Sequence, residues 1–276
     1  MDARVWIRST FSGLLLLFSL EVAAVEIVGH RGASHDAPEN TLAAFRLAFS
    51  RGADAVECDV HLSADGRLVV IHDADTKRTT GRRLVVARSN WEQLLALDAG
   101  SWKGERFRGE RLPLLEQVLE LVPPGRGLLI EVKCGPEMVP RLLPLLQERT
   151  DGRRLLVISF NLEVVSRLKQ RRPGQRVLWL VKARRRPGGG FRPHPRDIVA
   201  TARDNHLDGL GLDRRGVNDD IMAAARAAGL AVYVWTVDDQ AEARQLVERG
   251  ATGIITNRPG WLRGRLEEGR NPPGDD

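Results

Sequence analysis

An α/β fold, and within that class a (β/α)8 TIM barrel, is predicted for this 276-residue chain by three features. Short β-branched runs alternate with amphipathic segments, the runs number eight, and polar residues collect where the runs end. A single barrel of this kind occupies about 250 residues, so one domain accounts for the chain. Composition agrees: 42% of residues are hydrophobic and 28% charged, with no long low-complexity tract, which excludes a fibrous or wholly disordered protein.

Strands are expected at 25–29, 55–62, 128–133, 155–159, 177–181, 207–212, 231–236 and 253–256. Helices fit between them at 40–50, 114–121, 137–149, 162–171, 195–205, 219–228 and 239–249. In the first, Leu42, Phe45, Leu47, Ala48 and Phe49 form an apolar stripe at spacings of three and four, while Thr41 and Arg46 stay polar. Gly52, Gly229 and Gly250 follow helix ends, as C-terminal capping glycines do.

One stretch, about 66–111, is too long for a plain loop and is read as a small insertion after the second strand. It begins with a further strand at 68–71, turned back through Ala64-Asp65-Gly66, and continues polar and aromatic with Trp91 and Trp102. The barrel domain then spans 25–262, and 263–276 reads as a flexible C-terminal tail.

Residues 1–24 read as a signal peptide. Arg4 and Arg8 precede an apolar run from Phe11 to Leu20, and Val22-Ala23-Ala24 offers small residues for cleavage. The expected location is periplasmic or secreted. An uncleaved anchor, or a cytoplasmic protein with a wrongly assigned start, is the alternative, since the first strand begins at once after Ala24. The run is too short for a comfortable membrane span of about 20 residues, so no stable span is expected in the mature chain.

A formal charge of +6 suits an acidic partner. Nucleic acid is not expected, because the arginines are spread along the chain and no basic stretch is interleaved with stacking aromatics. The densest cluster, Arg184-Arg185-Arg186-Pro187-Gly188-Gly189-Gly190, reads as a solvated loop. Two cysteines, Cys58 and Cys134, make neither a disulfide framework nor a metal knuckle and are expected as buried free thiols.

Barrel active sites form where strands end. His30 and Arg31 close the first strand. Glu57 and Asp59 lie two apart on the second, so both face the barrel interior while Val56, Cys58 and Val60 face the helices. Glu131 and Lys133 share a face in the third. Buried carboxylates repel one another unless paired or neutralised. Two arrangements satisfy them: a hard-oxygen site for one divalent cation, Ca2+ or Mg2+ rather than Zn2+, or a metal-free salt-bridge cluster with Arg31 and Lys133.

His30 and His72, both at strand ends, favour a catalytic reading, because imidazole titrates near neutrality. His35, His61, His194 and His206 lack that setting and read as loop or surface residues, with His61 the least settled because it shares parity with Asp59. Arg31 and Lys133 add positive charge suited to phosphate oxygens. Trp235 and Phe160, at later strand ends, could flank an organic group or simply pack.

These residues fall into an ordered set: His30-Arg31-Gly32-Ala33, Pro38-Glu39-Asn40-Thr41, Glu57-Cys58-Asp59-Val60, Asp65-Gly66, His72-Asp73, Arg78-Thr79-Thr80-Gly81, Glu131-Val132-Lys133 and Trp235-Thr236-Val237. In this the chain resembles the glycerophosphodiester phosphodiesterases from about Val25 to Pro259. Each motif is weak singly, and together they are specific. The resemblance implies a barrel with an insertion after the second strand, and a divalent metal held at Glu57, Asp59 and Glu131. It implies His30 and His72 as the acid/base pair, Arg31 and Lys133 on phosphate, and Trp235 on the glycerol side.

Glu39 would orient groups in contact with substrate, and Asn40 would stand beside it, unless Asn40 merely caps a helix. The implied reaction releases glycerol 3-phosphate and an alcohol from a small-molecule glycerophosphodiester. Lysophospholipase D-type activity on the same scaffold and a non-catalytic phosphodiester-binding envelope protein are the alternatives. Asn257 stands where such proteins often carry an acid, and Thr76 where they are commonly apolar; neither is expected to touch the chemistry.

Overall fold

The computed structural model of the chain describes residues 25–148 and 153–268. The expected leader, 1–24, lies outside the described residues, as does 269–276 of the expected tail.

Among the described residues nine strands form one sheet: β1 Glu26–His30, β2 Ala55–Leu62, β3 Leu68–Val70, β4 Gly127–Val132, β5 Arg154–Ser159, β6 Arg176–Val181, β7 Gly209–Asp213, β8 Ala231–Trp235 and β9 Gly253–Thr256. All but β3 run parallel in the order of the chain, and β9 pairs with β1 while β1 pairs with β2, which closes an eight-stranded barrel. β3 is antiparallel to β2, with Val60 opposite Val70 and Leu62 opposite Leu68. Helices pack outside between the parallel strands, as the alternating pattern predicts.

Strand alternation sorts the core into two layers. Val28, Leu129, Leu156, Ile158, Leu178, Leu180, Tyr233 and Ile255 fill the barrel, whereas Val56, Cys58, Val60, Leu128, Ile130 and Val132 pack outward with the helices. Tyr233 is the largest of the interior side chains and needs a gap beside it. Gly253 supplies one: a Cβ there would come 2.4 Å from the Tyr233 ring.

The first helix, Leu42–Ser50, starts two residues later than expected. Thr41, not Asn40, caps it, its Oγ1 accepting from the Ala44 amide at 3.3 Å. Asn40 is thereby left with a left-handed backbone (φ 57°) and a side chain free for another use. The chain also ends differently from expectation. Pro259–Glu267 is a helix with proline in its first turn and Leu262 buried, so 263–267 is helical and not tail.

The 66–111 stretch carries its own small core of Val69, Ile71, Val86, Leu94, Leu97 and Ala99, completed by Leu112 just beyond it. It is fastened to the loop after β1 by Lys103 Nζ donating to the Ser34 carbonyl (2.8 Å) and by Arg106 donating to the Asp36 carbonyl (3.0 Å). Two further expectations are corrected. Cys134 lies just past β4 and is half-buried, unlike the fully buried Cys58. His194 is buried, not superficial, because its Nε2 donates to the Asp213 carbonyl at 2.9 Å. Among the described residues no helix is long and apolar enough to cross a membrane.

Candidate active site

Parallel register brings the strand-end residues to one level: His30 stands opposite Glu57, and Asp59 opposite Glu131. Their side chains meet at a cavity of about 230 Å³ lined by His30, Arg31, Glu57, His72, Glu131, Lys133, Phe160 and Trp235, among others. Asp59 lies fully buried beneath it, and Glu39 and Asn40 stand behind Arg31 and Asp59. Every residue given a catalytic, binding, supporting or metal-holding role from the sequence is therefore in or directly behind this one cleft.

The turn after β1 shapes the cationic side. Arg31 itself has a left-handed backbone (φ 55°), and Gly32 follows so close to the first helix that a Cβ would lie 2.6 Å from the Ala44 carbonyl carbon. The turn aims the Arg31 amide at Glu57 Oε2 (2.9 Å) and its guanidinium at Glu39 Oε1 (2.8 Å), with Nε 3.1 Å from Asp59 Oδ2. Asn40 completes the bracket, donating to Asp59 Oδ2 at 2.8 Å and accepting from the Asp59 amide at 3.2 Å. Its task is thus to hold Asp59. Lys133 Nζ reaches Glu131 Oε1 at 2.8 Å and stands 3.3 Å from Asp59 Oδ1.

Glu57, Asp59 and Glu131 each offer an oxygen within 4.8 Å of the others. Glu57 Oε1 and Asp59 Oδ1 are buried and accept no hydrogen bond. Burial, together with Asp59 and Glu131, pushes Glu57 well above the usual carboxylate range. Burial and Asp59 push Glu131 up to about 7 in spite of Lys133. Only Asp59 goes the other way: burial would raise it, but Arg31 and Lys133 outweigh that and hold it below its ordinary value. The pocket of oxygens is short of positive charge, and its all-carboxylate donors could hold a hard divalent cation.

The two histidines differ in company. His30 Nδ1 donates to the amide oxygen of Asn257 at 2.7 Å, and burial, then Arg31, pull the ring down to about 4. His72 Nδ1 donates to the Asp73 carboxylate at 2.6 Å, while the His72 carbonyl accepts from His61 Nε2 at 3.1 Å. Asp73 is held at about 2, because Arg78 and His72 outweigh the effect of burial. Contrary to expectation, then, Asn257 touches the site directly. Thr76 does not; it is buried and bonds within its own turn, donating to the Arg82 carbonyl at 2.6 Å.

Three further residues, to which the sequence alone gives no role, belong to the site or its supports. Arg78 clamps Glu39 with two nitrogens (2.7 and 2.8 Å) and Asp73 with a third (2.6 Å), so it links the supports of Arg31 and of His72. Its motif was visible, its role was not. Asp238 accepts from the Asn257 side chain at 2.6 Å. Lys182 also lines the cleft, with Nζ 4.6 Å from the centre of the Phe160 ring. Phe160 in turn meets Trp235 edge to face at 5.5 Å, and the pair gives the cleft an apolar stretch of wall.

Barrel strands ending in acids, imidazoles and cations around one cleft make a site suited to an anionic substrate. Comparison with known proteins places it further. The Glycerophosphoryl diester phosphodiesterase family profile matches residues 30–261, and the chain belongs to that family. A glycerophosphodiester phosphodiesterase of Caldanaerobacter subterraneus subsp. tengcongensis is 32% identical over 248 residues, 88% of this chain and 98% of that one. Among solved structures, an Oleispira antarctica phosphodiesterase in complex with the product sn-glycerol-3-phosphate superposes with a TM-score of 0.80 at 27% identity, covering 88% of this chain and 96% of that one. A glycerophosphodiester phosphodiesterase of Agrobacterium tumefaciens gives a TM-score of 0.71 at 31% identity over 87% of this chain and all of that one.

Proposed function

We propose that the enzyme hydrolyses glycerophosphodiesters to glycerol 3-phosphate and an alcohol by acid/base catalysis between His30 and His72. The observation that carries this is their placement: both imidazoles line one cleft with Arg31, Lys133 and the carboxylate trio. The product named for the Oleispira relative supports the same substrate class.

Glu57, Asp59 and Glu131 would hold one divalent cation, which when bound polarises the phosphoryl oxygens and offsets their developing charge. Arg31 and Lys133 bind the phosphate, each already oriented by carboxylates, so little reorganisation accompanies the reaction. His30 donates from Nδ1 to an uncharged amide and stays neutral at pH 7, which leaves Nε2 to take the proton of the attacking hydroxyl. That hydroxyl is a water, or the glycerol oxygen of the substrate itself, in which case the cyclic phosphodiester so formed is then opened by water to give glycerol 3-phosphate. His72, backed by the Asp73 carboxylate, gives a proton to the departing alcohol. The Phe160–Trp235 wall accommodates the carbon skeleton.

Purified protein should release glycerol 3-phosphate from glycerophosphocholine or another head group of a panel, lose activity in excess chelator, and regain it with Ca2+ or Mg2+. Cleavage confined to lysophospholipids would move the protein to lysophospholipase D-type chemistry, and binding without turnover would make it a non-catalytic binder. We also place the mature enzyme in the periplasm or outside the cell; the mass of its N-terminus tests this, with Val25 first if the leader is cleaved.

A further inference from the structure

We propose that Asn257, held in place by Asp238, is a positioning residue that locks His30 in its Nδ1–H tautomer and so presents the Nε2 lone pair to the cleft. The inference rests on the reading of His30 as the base.

An asparagine amide can be turned either way, so its orientation has to be fixed before it says anything about a neighbouring ring. Here it is fixed from behind. Asp238 Oδ2 accepts from Asn257 Nδ2 at 2.6 Å, and Asp238 Oδ1 accepts from the Asn257 amide and from Thr256 Oγ1, each at 2.8 Å. Turning the amide over would press its oxygen against a carboxylate oxygen at hydrogen-bond distance, two acceptors face to face. Asn257 Oδ1 therefore points forward, where Ser34 Oγ donates to it at 2.9 Å and His30 Nδ1 stands at 2.7 Å. A carbonyl oxygen can only accept, so the proton is on Nδ1. The loop carrying the amide is tied down as well, its Asn257 carbonyl accepting from the His35 amide at 3.0 Å.

The order of donors and acceptors also explains why an amide serves at this position. A carboxylate at 257 would orient His30 equally well by itself. Beside Asp238 it would create two carboxylates in hydrogen-bond contact, which repel unless they share a proton. The positions are exchangeable in principle: with an acid at 257 and an amide at 238, every hydrogen bond in the relay finds a donor and an acceptor again.

The test uses the full chain with Mg2+ present and labelled histidine. Nitrogen NMR of the wild type should show His30 at neutral pH protonated at Nδ1 and bare at Nε2. Asn257→Leu should give a mixture of tautomers and lower kcat by about 10- to 100-fold, the usual cost of losing a partner that orients an active group, with KM little changed. Asn257→Asp alone should be impaired, and Asn257→Asp combined with Asp238→Asn should recover to within a few-fold of wild type. A wild-type His30 protonated at Nε2, or a double variant no better than Asn257→Asp alone, overturns the proposal. The tautomer is read without turnover, so an inactive protein that shows Nδ1–H overturns His30 as base and leaves the relay standing.

Discussion

The Arg78 guanidinium donates to both carboxylate oxygens of Glu39, at 2.7 and 2.8 Å. Glu39 in turn accepts from Arg31 at 2.8 Å, and burial, which would raise it, is outweighed by the two arginines that hold it below its usual value. Arg78 thus steadies Arg31, the arginine proposed to bind phosphate, without itself lining the cleft. Lysine cannot reproduce the two-nitrogen fork. Arg78→Lys should lower kcat/KM by about 10- to 100-fold, as losses one layer behind a metal or substrate contact commonly do. Steady-state kinetics on glycerophosphodiesters check it, and an unchanged kcat/KM would show that Glu39 needs no second arginine.

Removing either imidazole should be costlier. His30→Ala and His72→Ala are each expected to reduce kcat by about 10²–10⁴, the range that a positioned acid or base contributes. Substrates with an activated leaving group separate the two, because they need no protonation: His72→Ala should approach wild-type rates on an aryl phosphodiester, while His30→Ala should not. The opposite pattern would exchange the two assignments.

Much of this was legible in the chain. Alternation on β2 and β4 placed Glu57, Asp59 and Glu131 on the inner face, and strand-end position put His30 and His72 at one rim. What escaped has a common physical cause, dependence on barrel closure or on packing. Asn257 is 227 residues from His30 and becomes its neighbour only because β9 pairs with β1. Arg78 reaches Glu39 and Asp73 from the insertion, where no periodicity governs side-chain direction. His194 sits between prolines and looks like loop until its bond to the Asp213 carbonyl buries it. The Pro259-Gly260 pair resembles a helix breaker, yet proline in the first turn gives up no needed hydrogen bond.

Gly253 is a requirement of the floor of the barrel, not of the chemistry. With a Cβ only 2.4 Å from the ring, Gly253→Ala forces Tyr233 to move within a closed interior. Overpacking of this kind costs about 1–3 kcal/mol. Urea unfolding should show a lower midpoint with an unchanged slope, and an unaltered midpoint would mean that the barrel relaxes freely around Tyr233.

The carboxylate trio predicts how pH and cation act together. An unfolded Glu titrates near 4.5, whereas Glu131 in the fold is raised to about 7, by burial first and Asp59 next, and Glu57 is raised for the same reasons with Glu131 added. Below about pH 4.5 both states keep these protons and the trio costs little. As pH rises toward 7 the unfolded chain has released protons that the fold still retains, so this contribution to stability falls with pH, and the part that belongs to Glu131 is fully lost above about 7. A cation replaces the protons, so its affinity should climb over the same window and then level off for Glu131. In chelator the unfolding temperature should therefore drop between pH 5 and pH 8, and saturating Mg2+ or Ca2+ should restore more at pH 8 than at pH 5. Glu131→Gln, which cannot ionise, should flatten that slope in chelator and weaken the response to cation. Equal stabilisation at the two pH values, or none at either, would remove these three carboxylates as the cation site.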